Sequence, residues 1–257
     1  MAEKAKPFFW YELMTTEPKA AAHFYSDVVG WSAAPFRGDG GIPYTVLSAG
    51  ERGVGGIMDM PEGYKKGGGH PAWVGYIHTP DVDAAAEKLK KAGGKVHRGP
   101  ENIPDVGRFA VVSDPQGAMF QLLQPNGPDQ PPVPAGTPGH VGWHELYTSD
   151  WKKAVDFYSS QFGWRKMREF DMGEMGIYAI FAMGEEDAGG MMNKPQQIPN
   201  PVWQFYFNVE GIDGAAKRVS GNGGKILMGP MQVPNGQWVV LCQDPQGAHF
   251  ALVSNTK

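Results

Sequence analysis

The chain has 257 residues, of which 41% are apolar and 19% charged, a composition that allows a buried core and does not favour disorder. A net charge of −4 without a basic stripe argues against nucleic-acid binding, and no apolar run approaches the ~20 residues of a membrane span. The 36 glycines and 22 prolines favour a turn-rich β fold. One cysteine, Cys242, and no apolar signal segment in residues 1–6 lead us to expect a cytoplasmic protein.

The first elements of the chain occur twice. Trp10-Tyr11-Glu12-Leu13-Met14-Thr15 returns 133 positions later as Trp143-His144-Glu145-Leu146-Tyr147-Thr148. Each copy begins with an aromatic-rich strand and continues into a helix with an apolar stripe, which ends at a glycine. Asp150 is a better N-cap for the second of these helices than Glu17 is for the first. These matches indicate an internal repeat.

Two strands follow in each copy, at 44–49 and 54–60 and again at 178–183 and 188–192. A glycine pair stands within the later strand of each copy, Gly55-Gly56 or Gly189-Gly190, where glycine commonly indicates a bulge or a close approach. A further strand and helix are predicted at 73–78 and 83–92, with counterparts at 203–209 and 213–219. Each repeat therefore reads as the order β-α-β-β-(β) occurring twice, with about eight strands and two helices.

Each copy closes with the sequence Asp-Pro-Gln-Gly-Ala, at 114–118 and at 244–248, between two apolar runs. A Pro-x-Gly turn in that setting predicts a β-hairpin. Between the copies, residues 126–139 are rich in proline and glycine and predict a semi-rigid linker. We therefore divide the chain into a first module at 7–125, the linker at 126–139 and a second module at 140–254.

Three motifs carry a resemblance to a known family: Trp-x-Glu-Leu in the first strand, Phe-Tyr-x-x-x-x-Gly-Trp at the helix end and Asp-Pro-x-Gly before the last strand. They resemble the vicinal oxygen chelate superfamily of glyoxalase I, bleomycin-resistance proteins and extradiol dioxygenases, and in particular tandem glyoxalase-like proteins of bacteria. The resemblance implies an α+β fold with two tandem modules. Each module would consist of paired βαβββ motifs that form a half-open, curled mixed β-sheet, with a ligand or divalent metal on its concave face.

The resemblance also implies where metal ligands would stand. Relatives that bind a metal use His and Glu side chains at these positions, and neither module keeps a complete set of them. A tryptophan stands at the first position of each module, and its indole cannot bind a divalent metal. We therefore expect no metal and no cofactor, which disfavours chemistry that needs a metal Lewis acid. The implied positions are Trp10, Ile57, Val74 and Gln121 in the first module and Trp143, Met191, Gln204 and Ala251 in the second.

Residues two apart on a strand share a face, so the implied ligand positions identify further inward side chains. The resulting set is an aromatic wall with a few polar groups, which is typical of small-molecule sites. The candidate catalytic residues are Glu145 and His249, and the candidate ligand-binding residues are Trp143, Tyr147, Gln204, Tyr206, Asn208, Trp10, Glu12, Tyr76 and Gln121.

Several of these residues have a structural alternative. Trp10 and Trp143 would equally fill a core. Glu12 and Glu145 would form a salt bridge, for instance to Arg108, or act as a ligand-orienting carboxylate or general base. His249 would be a satisfied core histidine or a proton-transfer partner of Glu145. His144 falls between inward positions and should face away.

Three functions remain open from the sequence. The favoured one is a metal-free protein that binds an apolar or aromatic small molecule. The alternative is a glyoxalase-type lyase, isomerase or hydrolase that uses Glu145 and His249 or a non-standard metal site. The third is a structural or antigen-like protein without a functional binding or catalytic site. Single-module relatives pair between chains, so a two-module chain is expected to be a monomer, with a homodimer as the alternative, and without nucleic-acid or membrane partners.

Overall fold

The computed structural model describes residues 6–36, 43–128 and 130–257. The amino-terminal residues 1–5 and Asp129 of the predicted linker lie outside the described residues. The first repeat contains β1 (Phe8–Thr15), α1 (Pro18–Val29), β2 (Ser32–Pro35), β3 (Tyr44–Ala49), β4 (Arg52–Asp59), α2 (Glu62–Lys66), β5 (Ala72–His78), α3 (Val82–Lys91), β6 (Lys95–Ile103), β7 (Gly107–Ser113) and β8 (Met119–Pro125).

The second repeat follows the same plan without a counterpart of α2. Its short 3-10 helix, Gly173–Met175, lies between the second and third strands. The repeat contains β9 (Val141–Thr148), α4 (Trp151–Phe162), β10 (Arg165–Asp171), β11 (Ile177–Ala182), β12 (Asp187–Asn193), β13 (Val202–Asn208), α5 (Ile212–Gly221), β14 (Lys225–Gln232), β15 (Trp238–Gln243) and β16 (His249–Ser254).

The strands form two eight-stranded mixed sheets, with the orders β2-β3-β4-β1-β5-β8-β7-β6 and β10-β11-β12-β9-β13-β16-β15-β14. Parallel pairing joins β1 with β4, β5 with β8, β9 with β12 and β13 with β16, among other strand pairs of the two sheets. These open sheets with few helices confirm the predicted α+β architecture of two tandem modules. None of the helices in the described ranges is both long and apolar enough to cross a membrane.

Contacts divide the described chain into two compact units, and each unit draws on both repeats. The first unit contains the residues up to Trp10, Gly75–Gln130 and His144–Trp203. The second unit contains Tyr11–Val74, Pro131–Trp143 and Gln204–Lys257.

In each unit, a helix tyrosine organises an aromatic core on one face of the strands. In the first unit, the Tyr158 ring of α4 stacks on Trp164 at a centroid distance of 4.9 Å, and Trp164 stacks on Phe181 of β11 at 4.9 Å. In the second unit, Tyr25 of α1 packs edge-on against Phe250 of β16 at 5.2 Å. The helices therefore cover one face of these strands, and the opposite face is where a site can form.

Both predicted hairpins are present, and their aspartates are buried. The Oδ1 atom of Asp114 accepts hydrogen bonds from the backbone amides of residues 116, 117 and 118 at 2.8–2.9 Å. Its Oδ2 atom accepts from the Tyr158 hydroxyl at 3.3 Å, and the Tyr158 oxygen accepts from Trp203 Nε1 at 3.0 Å. Burial raises the pKa of Asp114, although these hydrogen bonds oppose the shift.

The second unit repeats this arrangement. Asp244 accepts from the Tyr25 hydroxyl at 3.1 Å, and the Tyr25 oxygen accepts from Trp73 Nε1 at 2.8 Å. Burial also raises the pKa of Asp244 and, with the nearby carboxylate, holds the pKa of Tyr25 well above its usual value. The hairpin motif therefore fixes a Trp-Tyr-Asp chain in each unit, and in each chain the Asp and the Tyr come from different repeats.

Helix starts agree with the capping chemistry. The Asp150 side chain accepts from the amides of Lys152 and Lys153, whereas Glu17 makes no side-chain cap. The helix predicted at 83–92 begins earlier, at Val82, because Asp81 caps it through the amide of residue 84 at 2.9 Å. The sequence patterns did not single out β2, β6, β10 or β14, whose residues are mostly exposed.

Candidate functional site

One face of β10, β11, β12 and β9 in the first unit carries a row of aromatic and methionine side chains. Strand register aligns Tyr147 with Met192, Met192 with Tyr178, and Tyr178 with Phe170. Register partners on neighbouring strands project from the same face. Tyr147 and Tyr178 are half-buried, Met192 is buried and Phe170 is exposed. We call this row the second-repeat strip.

A buried carboxylate lies beside the second-repeat strip. Glu145 is two residues before Tyr147 on β9, so both project from the same face, and Glu145 is only 7% exposed. The Tyr147 hydroxyl donates a hydrogen bond to Glu145 Oε2 at 2.6 Å. The structure therefore brings together two residues that the sequence had nominated, the candidate base Glu145 and the candidate ligand-binding residue Tyr147.

Gly190 explains how a second tyrosine reaches this face. Gly190 is the register partner of Glu145, and a Cβ atom at position 190 would overlap the ring and hydroxyl of Tyr178. The missing side chain lets Tyr178 lie across β12, on the face that carries Glu145. Tyr178 was not among the residues predicted from the sequence, although the glycine pair was a signal of close approach that could have located it.

The second unit contains the equivalent row from the first repeat, which we call the first-repeat strip. Met14 aligns with Met58 and Met58 with Tyr44, while the Phe36 ring lies 6.4 Å from that of Tyr44. The methionine at position 14 stands where the second repeat has Tyr147.

The first-repeat strip also has its carboxylate and its glycine. Glu12, 6% exposed, aligns with Gly56, and a Cβ atom at position 56 would overlap the Tyr44 ring. The two strips thus share a carboxylate, a crossing tyrosine and a glycine. They differ at one position on the first strand of each repeat. The second repeat has Tyr147 there, whose hydroxyl donates to Glu145, and the first repeat has the thioether Met14.

An apolar wall in the second unit contains two further nominated residues. Trp143 packs, partly buried, against a buried cluster of Tyr206, Val239, Ala251 and Val253. The indole therefore fills apolar space at a position where the resemblance implies a metal ligand.

The nominated amides in the second unit bind the backbone. In the orientation that satisfies its hydrogen bonds, the Gln204 carboxamide oxygen accepts from the amides of Ala251 and Phe250 at 3.1 and 3.3 Å. The Asn208 carboxamide lies over Gly142, where a Cβ atom would overlap it. In the structure, these contacts serve strand packing.

His249 is the first residue of β16 and is exposed. Its Nε2 atom lies 3.3 Å from the Gln243 amide nitrogen, across the hairpin. By alternation it shares a face of β16 with Ala251, as expected, but at the turn end of the strand. Its role as a proton-transfer partner of Glu145 stays a prediction.

The first unit has an apolar wall of its own. Trp10 packs against the buried cluster of Tyr76, Phe109 and Leu123. Tyr76 aligns with Gln121, which is 4% exposed, so both project from one face of the parallel pair β5 and β8. The structure thus groups the nominated residues Trp10, Tyr76 and Gln121 on this wall.

Two sequence alternatives can be settled by contacts. Arg108 was suggested as a salt-bridge partner for Glu12 or Glu145, but that suggestion was wrong, because its guanidinium binds Asp83 at 2.6 and 2.9 Å. His144 is buried, stacks on Phe8 at 5.2 Å and places Nδ1 2.8 Å from the Ala188 carbonyl oxygen. Burial lowers the pKa of His144 to about 4, so it is a neutral core residue at physiological pH.

The residues at the implied metal-ligand positions do not fit a divalent metal. In the second repeat these positions hold Trp143 in an apolar cluster, Gln204 bonded to the backbone, and the buried apolar residues Met191 and Ala251. Within the described ranges, no group of three or more His, Cys, Asp or Glu side chains is placed to hold a metal ion. We therefore derive no chemical step through a metal.

Comparison with known proteins finds the same family in both repeats. The model of the Glyoxalase/Bleomycin resistance protein/Dioxygenase superfamily matches residues 8–122 and 137–252. The CFP32 protein of Mycobacterium tuberculosis, which carries a provisional glyoxylase name, is 33% identical over 95% of this chain and 93% of its own length. The anthracycline biosynthesis protein DnrV of Streptomyces peucetius is 30% identical over 95% of this chain and 91% of its own.

Solved structures share the fold at low sequence identity. The Mn(II)-bound glyoxalase from Novosphingobium aromaticivorans has a TM-score of 0.69 and 16% identity, over 99% of this chain and 83% of that chain. The 2,3-dioxygenase LapB from Pseudomonas sp. KL28 has a TM-score of 0.69 and 12% identity, over 99% of this chain and 94% of that chain. At these identities the likeness concerns the fold alone.

Proposed function

Since the chain belongs to the Glyoxalase/Bleomycin resistance protein/Dioxygenase superfamily, we propose that it binds a small aromatic molecule on the second-repeat strip, without the metal that many members use. The observation that carries this proposal is the strip itself. Two half-buried tyrosines and a buried methionine form one face beside the buried carboxylate of Glu145. Small-molecule sites combine an apolar, aromatic lining with a few polar groups in this way.

The strip has side chains suited to a planar ligand. Aromatic rings interact favourably with offset or edge-on aromatic partners, and a methionine thioether adapts its shape to a ring and contacts it favourably. The Streptomyces relatives named for anthracycline biosynthesis also support a ligand with aromatic rings, since an anthracycline is a fused-ring compound.

The test is a calorimetric titration of the full chain with neutral aromatic probes, namely indole, 2-naphthol and 9-anthracenemethanol. We expect saturable binding of at least one probe, and we expect Tyr178→Ala to weaken it about tenfold through loss of a ring contact. Tyr64→Ala is the matched control, because Tyr64 is 40% exposed on α2 and outside both strips. If no probe binds, or if both variants weaken binding equally, the proposal fails.

The glyoxylase name of the mycobacterial relative favours a second candidate function. This is a lyase, isomerase or hydrolase reaction in which Glu145 acts as the base and His249 as its partner, or in which a metal binds by non-standard ligands. The exposed position of His249 and its contact with Gln243 favour this candidate less than the binding function.

A further inference from the structure

The dipeptide Asn-Gly occurs at three places in the chain, at Asn126-Gly127, Asn222-Gly223 and Asn235-Gly236. This dipeptide can modify itself. When the backbone nitrogen of the glycine attacks the Asn side chain, the carboxamide nitrogen leaves as ammonia and a cyclic imide forms. Glycine permits the attack because it has no Cβ atom in the way and a wide choice of backbone conformations. The three sites therefore have the same chemistry, and the structure around each one decides its reactivity.

The site Asn222-Gly223 is held in place at the end of α5. The Nδ2 atom of Asn222 donates a hydrogen bond to the Arg218 carbonyl oxygen at 2.9 Å. The backbone amide of Gly223 donates to the Ser220 carbonyl oxygen at 3.2 Å, and its φ of 82° lies in the left-handed region. The carboxamide and the glycine nitrogen would both have to give up a hydrogen bond before they could react.

The site Asn235-Gly236 is held in the same way, in the turn between β14 and β15. The Asn235 side chain accepts from the Gln237 backbone amide at 3.0 Å and donates to Gln237 Oε1 at 2.8 Å. The backbone amide of Gly236 donates to the Val233 carbonyl oxygen at 2.8 Å, and its φ is 89°. Both reacting groups are again occupied.

The site Asn126-Gly127 is different. It lies where the chain leaves β8 for the predicted linker, and both residues are exposed. The backbone amide of Asn126 donates to the Val106 carbonyl oxygen at 2.9 Å, which anchors the start of the dipeptide. Among the residues that the structure describes, neither the Asn126 carboxamide nor the Gly127 amide forms a hydrogen bond. A Cβ atom at position 127 would meet nothing within 4 Å, so the space around this glycine is open.

We infer that the fold leaves Asn126 as the site of self-modification in this chain, and that the folded protein deamidates there. The Gly127 nitrogen forms a bond to Cγ of Asn126, the bond between Cγ and Nδ2 breaks, and ammonia leaves with the proton that the Gly127 amide gives up. Water then opens the cyclic imide at either of its two carbonyl groups, which yields aspartate or isoaspartate without any oxidation or reduction. The product carries a new negative charge, and isoaspartate lengthens the backbone by a methylene group where the first repeat ends.

The test follows the folded full chain in mildly alkaline buffer made with heavy-oxygen water, by mass spectrometry of its peptides. The amide at Asn126 should become an acid and take up heavy oxygen at least about tenfold faster than those at Asn222 and Asn235, because their hydrogen bonds must break first. Asn126→Gln should remove modification at this position, since its longer side chain disfavours the five-membered ring. Gly127→Ala has open space for its methyl group, so it should fold normally and react several-fold more slowly.

Unfolding in guanidinium chloride provides the matched control, because it removes the hydrogen bonds and keeps all three dipeptides. We expect the three sites to react at similar rates there. If Asn222 or Asn235 reacts as fast as Asn126 in the folded chain, or if Asn126 reacts only after unfolding, the inference is overturned. A lead for Asn126 that persists unchanged in the denaturant would also overturn it, because local sequence and not the fold would then be the cause.

Discussion

The Tyr158 hydroxyl donates to the buried Asp114 carboxylate at 3.3 Å, and its duplicate joins Tyr25 to Asp244 at 3.1 Å. In each pair, the aspartate belongs to the hairpin motif of one repeat and the tyrosine to the helix of the other. The motif that is most visible in the sequence therefore joins the two repeats within each compact unit.

Replacing Tyr158 by Phe should lower the free energy of unfolding by about 1–3 kcal/mol, because it leaves a buried carboxylate oxygen without this donor. A double-mutant cycle with Asp114→Asn should give a coupling energy of about 0.5–3 kcal/mol, measured by urea unfolding. The pair Tyr25 and Asp244 offers an internal replicate. Strict additivity of the two single effects in both pairs would contradict this prediction.

Stability should fall in acid because of His144. Its folded-state pKa of about 4 lies below the ordinary value of 6.5, so the unfolded chain takes up the proton first as the pH falls. The contribution of neutral His144 to the free energy of unfolding is complete above pH ~6.5. It is lost as the pH falls towards ~4, by an amount on the order of 3 kcal/mol. Urea unfolding at several pH values should show a steeper slope in the wild type than in His144→Asn.

Gly190→Ala should displace Tyr178, since the new Cβ atom would overlap its ring. We expect a loss of about 1–3 kcal/mol in unfolding free energy and weaker binding of 2-naphthol. Gly184→Ala is the control, because a Cβ atom there meets nothing within 4 Å. Equal binding by both variants would show that Tyr178 does not contribute to the site.

Variants of Glu145 and His249 separate the binding function from the enzymatic alternative. We expect Glu145→Gln to weaken binding of 2-naphthol about tenfold and His249→Gln to leave it unchanged, as calorimetry would measure. A reaction that requires both residues would predict an equal loss of turnover in the two variants. Finding such a reaction would replace the binding function by the enzymatic one.

Metal analysis of the purified protein tests whether the residues at the implied metal-ligand positions bind a divalent ion. We expect less than stoichiometric divalent metal by elemental analysis, and unchanged 2-naphthol affinity after treatment with EDTA. One divalent ion per chain, removed together with ligand binding, would overturn the interpretation of Trp10 and Trp143 as apolar packing residues.

The sequence was informative where strands are rich in apolar and aromatic side chains. Strands β1 and β9 followed from their aromatic-rich sequences, and both hairpins followed from apolar runs around turn residues. Strand β10 has seven residues that are all exposed, so it leaves no such pattern. Its place in the sheet depends on pairing with β11, which sequence spacing does not encode.

In the candidate site, too, the sequence located some residues and missed others. Alternation placed Glu145 and Tyr147 on one face, because they are two apart on a single strand. It could not reveal Tyr178, which reaches that face through the register of β11 with β12. Nor could it foresee that the Gln204 amide binds the backbone of β16, since alternation predicts direction but not partners.

The composition of the compact units gives the linker a thermodynamic role. Each unit contains residues from both repeats, so a single repeat supplies only part of either unit. The covalent connection through the Pro/Gly-rich segment makes the meeting of the repeats intramolecular, which raises the effective concentration of each repeat around the other. Cleaving the chain there would turn folding into a bimolecular reaction, whose midpoint would depend on protein concentration.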